Sequence, residues 1–158
     1  MRELILLRHA HAEPAANGQE DIDRPLSPVG LAEAEAAGKW LTENNLLPDC
    51  VVCSPSRRTR ETLEAVLGKT GFVEKMLEDR IYDATPGTLT DVIEKRWEVD
   101  RLLVVGHNPG LEQLVPFLTD GSSSDYRGMA PGGIAVLTFK GDSTIEPGAA
   151  TLTQFWWP

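Results

Sequence analysis

Unbroken apolar runs, rather than alternating ones, mark three places in the chain: LILL at residues 4–7, CVVC at 50–53 and LLVV at 102–105. Strands that are apolar at successive positions bury both faces, as the inner strands of a parallel sheet do. Between these runs the spacing becomes helical. Leu31, Ala34, Gly38 and Leu41 share one stripe while Glu33, Glu35 and Lys39 fall elsewhere, and Ser27 before Pro28 supplies an N-cap and a first helical residue. SPSRRTRETLEAVL (54–67) predicts a second helix, and TLTDVIEKRW (88–97) a third through Leu89, Val92, Ile93 and Trp97. NPGLEQLVPFL (108–118) predicts a fourth, with Pro109 near its start, and GGIAVLTF (132–139) with ATLTQFWW (150–157) predicts a closing strand pair. Strands alternating with helices predict an α/β fold, a three-layer α/β/α sandwich with a mostly parallel central sheet. The absence of repeats or a long linker predicts one domain over residues 1–158.

Composition narrows the class. With 158 residues, 41% hydrophobic and 25% charged, the chain can bury a substantial core. No run approaches the ~20 apolar residues of a membrane span, and the opening RELILL lacks the longer apolar region of a secretory leader. Cys50 and Cys53 cannot build a disulfide framework, so a cytoplasmic location is expected. On a strand they face opposite sides, which predicts buried thiols rather than a redox pair. A net charge of −9 argues against nucleic acid and anionic membrane as partners. Any anion is then held by local charge.

Such charge gathers where the apolar runs end. In an open α/β sheet, ligands bind beyond the carboxyl ends of the strands. There the sequence reads LLRHAHA, VVCSPSRRTRET and LVVGHNPG, which brings Arg8, His9, a cluster of Arg57, Arg58 and Arg60, and His107 toward one edge. Arginine clusters usually solvate a surface, but three such exits in one chain read as a site. Guanidinium forks match phosphate oxygens, and imidazole serves as nucleophile or proton carrier. Two arginines with a cationic imidazole would neutralise a transferring phosphoryl group without metal. GHNPG lacks the Lys-Ser/Thr pair of a nucleotide loop, and neither HExxH nor paired CxxC motifs occur.

These stretches resemble the histidine phosphatase superfamily, whose fold is phosphoglycerate mutase-like. LLRHAHAE is similar to its Arg-His-Gly/Ala signature, SPSRRTRET to its Ser-x-x-x-Arg-Ala-x-x-Thr stretch, and VVGHNPG to its second-histidine motif. The short length, DRPLSPVG and GHNPGLEQL are most similar to the small phosphohistidine phosphatases of the SixA type. The resemblance implies that His9 attacks phosphorus and carries a phosphohistidine intermediate, its other ring nitrogen bonded to a backbone carbonyl. It implies that Arg8 and Arg58 clamp the phosphoryl oxygens and that His107 stabilises the transferring charge. Arg24 is a candidate pocket contact, with pairing to Asp21 or Asp23 as the alternative. LEDRIYDA resembles the family's acid-bearing segment, which makes Asp79 the candidate proton donor beside Tyr82, with Glu78 as rival; a solvated loop acid is the competing reading.

The expected activity is metal-independent and cofactor-free removal of phosphate from phosphohistidine in a protein, such as a histidine phosphotransfer domain or phosphocarrier of a signalling relay, by a monomer. The alternatives are hydrolysis of small phosphomonoesters and a phosphoprotein-binding module without turnover. Binding of metal by His9, His11 and His107 is the remotest. Ala10 replaces the commoner glycine after the motif histidine, and His11 has no assigned role. Of Trp156 and Trp157, one is expected in the core and the other at an edge or the site mouth; TDGSSSDYRG (119–128) reads as a flexible loop. A like-charged partner would be repelled at long range, so moderate salt is expected to speed dephosphorylation of an acidic phosphoprotein. Stopped-flow rates against ionic strength check this, and a steep fall with salt would contradict it.

Overall fold

The computed structural model describes residues 2–120 and 128–158. The elements run β1 (Arg2–Arg8), α1 (Pro28–Glu43), β2 (Cys50–Cys53), α2 (Arg57–Thr70), β3 (Lys75–Leu77), α3 (Pro86–Glu94), β4 (Arg101–Gly106), α4 (Gly110–Thr119), β5 (Ile134–Phe139) and β6 (Ala150–Trp156). The strand order is β3-β2-β4-β1-β5-β6. The pairings of β2 with β3, β2 with β4 and β1 with β4 are parallel, and β5 and β6 are added antiparallel. The doubly apolar strands split their side chains between two cores. Leu4, Leu6, Cys50, Val52, Leu102 and Val104 pack toward α3 and α4, while Ile5, Leu7, Val51, Cys53, Leu103 and Val105 pack toward α1 and α2. This is the expected three-layer α/β/α sandwich. The two cysteines lie in opposite cores, both buried, and burial raises the Cys53 thiol to about 12.

The helix starts follow local chemistry. Ser27 Oγ accepts from Gly30 N at 3.0 Å and Ser56 Oγ from Thr59 N at 3.3 Å, satisfying amide donors that have no partner within the first turn. The buried stripe of α1 differs from the expected one: it is Gly30, Ala34, Ala37, Gly38 and Leu41, and Leu31 is exposed. Close approach to α2 selects the small residues, since a Cβ on Gly38 would sit 2.9 Å from Val66 O. The third helix stops at Glu94, short of Trp97, because the chain tightens into i→i−3 bonds, Arg96 N to Ile93 O at 2.9 Å and Trp97 N to Glu94 O at 3.4 Å. Trp97 is still buried, packed edge-on against Phe139. Strand β3 has no counterpart in the sequence reading, being three residues long with Lys75 and Leu77 exposed. Trp156 stacks on Trp40 against the core, and Trp157 is exposed beside Phe155. Most of the 119–128 stretch lies outside the described residues.

Gly30 presses α1 against the segment that leaves β1: a Cβ there would fall 1.9 Å from His11 O. Gly30→Ala is therefore expected to lower stability by about 1–3 kcal/mol. Gly68→Ala, where the added methyl meets nothing within 4 Å on a helix, is expected to be neutral or to stabilise by about 0.5–1 kcal/mol. Urea denaturation of both variants checks the contrast.

Candidate active site

Three adjacent strands deliver the site. Register pairs Arg8 with Gly106 and Cys53 with Val105, so His9, Ser54 and His107 emerge side by side. His9 N donates to Gly106 O at 3.0 Å and Ser54 N to Val105 O at 3.0 Å, extending the sheet bonding into the site. The rings of His9 and His107 lie 5.2 Å apart.

His9 Nδ1 sits 2.7 Å from Ala10 O, the backbone acceptor expected for it. A carbonyl can only accept, so Nδ1 carries the proton and Nε2 keeps its lone pair. Burial holds the His9 pKa down at about 4, the charges of Arg58, Arg8 and Arg24 adding to it and the bond to Ala10 opposing. Ala10 is itself buried, and its N–H donates to Thr62 Oγ1 at 3.1 Å. Thr62 in turn donates to Arg58 O at 2.7 Å, tying the His9 segment to α2.

His107 is fixed from both sides. Its Nε2 lies 2.7 Å from Ser54 Oγ, and Arg58 Nη2 faces its Nδ1 at 3.5 Å. The guanidinium can only donate, so Nδ1 accepts and Nε2–H donates to Ser54. Burial, then His9 and Arg58, lower its pKa to about 3, against an opposing pull from Asp21. The cationic imidazole expected from the sequence is therefore corrected: beside two guanidiniums and out of water, both imidazoles are neutral near pH 7.

The guanidiniums differ in their anchors. Arg58 is 7% exposed and donates to Asp21 O at 2.8 Å and Asp21 Oδ2 at 3.0 Å. Arg8 donates from Nη1 to Met129 O at 2.7 Å. Burial lowers the Arg8 pKa, with Glu112 the first charge opposing it. Arg8 Nε and Arg58 Nε are both buried with no hydrogen-bond partner among the described residues. Two strong donors of this kind, carried by cations flanking two imidazoles, suit the oxygens of a tetrahedral oxyanion. Arg57 and Arg60 do not join them: Arg57 pairs with Glu61 on the surface and Arg60 donates to Pro55 O.

Asp21, in a short 3-10 turn of the 14–27 loop, is the carboxylate the structure brings to this group. It accepts from Tyr82 Oη, from Arg24 Nη1 at 2.9 Å and from Arg58. Those bonds, Tyr82 first and Arg24 next, hold its carboxyl far below the usual range. Arg24 is thus Asp21's ion-pair partner, the alternative named for it, while its charge still acts on His9. Asp79 lies in a 3-10 turn, exposed, and its carboxylate makes no hydrogen bond or ion pair among the described residues. Glu78 binds Arg80. His11 pairs with Glu33 at 2.7 Å. Among the described residues no three His, Cys, Asp or Glu side chains gather as a metal ligand set.

The sequence assigns no role to Ser54, Thr62, Asn108 or Glu112, and gives Asp21 only as a candidate partner of Arg24. Ser54 and Thr62 stand in the SPSRRTRET stretch, so that motif held their signal, whereas nothing in DIDR separates Asp21 from a loop acid.

Comparison with known proteins agrees with this geometry. A family model described as the histidine phosphatase superfamily (branch 1) matches residues 4–99. The protein Rv1276c of Mycobacterium tuberculosis is 38% identical over 156 residues, covering 92% of this chain and 96% of that one. A candidate phosphohistidine phosphatase SixA from Agrobacterium tumefaciens superposes with a TM-score of 0.87 at 29% identity, covering 99% of this chain and 98% of that one. Its counterpart from Nakamurella multipartitia gives 0.85 at 31% identity, over 99% and 96% of the two chains.

The unfolded chain binds protons at imidazoles of ordinary pKa, 6.5, while the folded His9 and His107 resist protonation to about 4 and 3. Folding stability is therefore expected to fall as pH drops from about 6.5 toward 4, where the unfolded state binds more protons. Nitrogen-15 chemical shifts of labelled histidine are expected to show Nδ1–H for His9 and Nε2–H for His107 at pH 6. A half-charged ring there would contradict the geometry.

Proposed function

The chain belongs to the histidine phosphatase superfamily, and from that premise we propose that it is a metal-independent phosphatase that removes phosphate from phosphohistidine carried on proteins. The family and its structural relatives support a histidine-phosphatase-type activity. The mechanism and substrate are inferred from the site. In this reading His9 Nε2, whose lone pair is left free by the Nδ1–Ala10 bond, attacks phosphorus in line, forming an N–P bond as the bond to the leaving group breaks. The product carries the phosphoryl group on Nε2 with Nδ1 still protonated, and Ala10 O stabilises that cationic ring. Arg8 and Arg58 offer to the equatorial oxygens their Nε donors, which have no partner among the described residues. Water then attacks phosphorus, the P–Nε2 bond breaks, and inorganic phosphate leaves with His9 neutral again.

One observation carries the choice of leaving group. The carboxylate built into the site, Asp21, is held ionised by Tyr82 and Arg24, so it accepts hydrogen bonds and carries no proton to donate. An alkoxide leaving group needs a proton during departure. A phosphohistidine imidazole already protonated on its other nitrogen departs as a neutral ring without one. The proposed partner is therefore a phosphohistidine-bearing protein.

The test uses chelator-treated enzyme, a phosphohistidine-bearing carrier protein and a panel of small phosphomonoesters, with released phosphate as the readout. Fast, chelator-insensitive release from the carrier is expected, with a loss of at least about 10³-fold in His9→Ala. Release from the esters alone would move the substrate class to small phosphomonoesters. Release from neither, with phosphate still bound, would leave a phosphoprotein-binding module.

A further inference from the structure

The two arginines of the site are held in unlike ways. Arg58 binds a carboxylate directly, whereas Arg8 binds a main-chain carbonyl, that of Met129, from a segment 121 residues away in sequence. That peptide is gripped at both ends. Met129 N donates to Glu112 Oε2 at 3.1 Å, and Met129 O accepts from both Arg8 and Asn108 Nδ2, the latter at 2.9 Å. Asn108 Nδ2 also donates to the same Glu112 oxygen at 2.9 Å, and Asn108 Oδ1 accepts from Glu112 N at 3.2 Å. Glu112, in the first turn of α4, is thus the shared acceptor of a closed ring of bonds that ends on Arg8. The Met129 side chain is buried in the core, which fixes where the segment lies. Core packing has no directional demand on a peptide plane; the bond from Met129 N to a carboxylate has.

We propose that Glu112 is a positioning residue for Arg8: by orienting the Met129 peptide it aims that carbonyl at Arg8 Nη1, which sets the guanidinium with Nε free for an oxyanion. The proposal rests on the reading of Arg8 as a phosphoryl clamp. Glu112 touches no reacting atom and acts through two links, its charge also favouring the Arg8 cation across the same gap.

The experiment is a double-mutant cycle read by calorimetric titration with tungstate, a tetrahedral oxyanion of phosphate shape. Glu112→Ala is expected to weaken binding about tenfold, the scale of one hydrogen bond to a charged group. In an Arg8→Ala background the same change is expected to cost less than about twofold, because the residue it acts through is gone. Glu112→Gln, which keeps an oxygen for Met129 N, is expected to recover most of the affinity and guards against a variant that fails to fold. An equal loss in both backgrounds would show a general structural role and overturn the proposal, as would an unchanged affinity in Glu112→Ala. If Arg8→Ala binds tungstate as the wild type does, the clamp reading itself fails and takes the proposal with it.

Discussion

Parallel pairing of β1 with β4, with Arg8 opposite Gly106, is the constraint on which the site depends. It places His9 and His107 one residue beyond matched positions on neighbouring strands, and the bond from His9 N to Gly106 O extends the ladder past its last pair. Pairing of β2 with β4 adds Ser54 at the same level. A slip of one residue would shift His9 by about 3.3 Å and turn every apolar side chain of β1 to the other face. Leu4 and Leu6 on one side and Ile5 and Leu7 on the other are fully buried, so that slip would push each set into a close-packed core shaped for the other. The alignment of the two imidazoles thus carries the stiffness of the hydrophobic core.

Electrostatics then sets their state. A chain of net charge −9 keeps two guanidiniums and two imidazoles together, and at close range the guanidiniums prevail. Both rings stay neutral because burial and neighbouring cations each penalise a further positive charge. Neutrality suits a nucleophile, whose lone pair must be free, and leaves neutralisation of a bound oxyanion to the arginines. Each arginine is restrained through its terminal nitrogens, by Asp21 or by Met129 O, and each keeps a buried Nε without a partner among the described residues.

The sequence disclosed these features unequally. Doubly apolar strands are legible because burial on both faces leaves no alternation, and that pattern led to the sheet, the layers and the three exits. The motif residues Arg8, His9 and His107, at or just past strand ends, and Arg58, in the first turn of α2 after β2, come together at the one sheet edge that the three exits imply. Strand β3 was not legible, since three residues at an edge carry no periodicity. Leu31 misled because hydrophobicity alone cannot show that Gly30 and Gly38 mark the close-packed stripe. Asp21 was read only as a partner for Arg24, and its selection rests on Tyr82 and Arg58, 61 and 37 residues distant. A carboxylate chosen by tertiary contacts has no local signature.

The site therefore divides into two parts of different origin. His9, Ser54 and His107 are placed by strand ends, and their spacing is a property of the sheet. The guanidinium heads of Arg8 and Arg58 are placed by segments outside it, the Asp21 turn on one side and the Met129 peptide on the other. Arg8 marks the seam: its backbone ends β1, but its charged end answers to Met129. A protein with this sheet has these three backbone positions side by side whatever residues fill them. The second part depends on what loops present, and loops tolerate change where paired strands do not. In the proposed mechanism the nucleophile is therefore set by the sheet, while the grip on the phosphoryl oxygens and the proton economy at the leaving group are set by the loops. Asp21 belongs to that second part, and with it, on the proposed reading, the preference for a nitrogen over an oxygen leaving group.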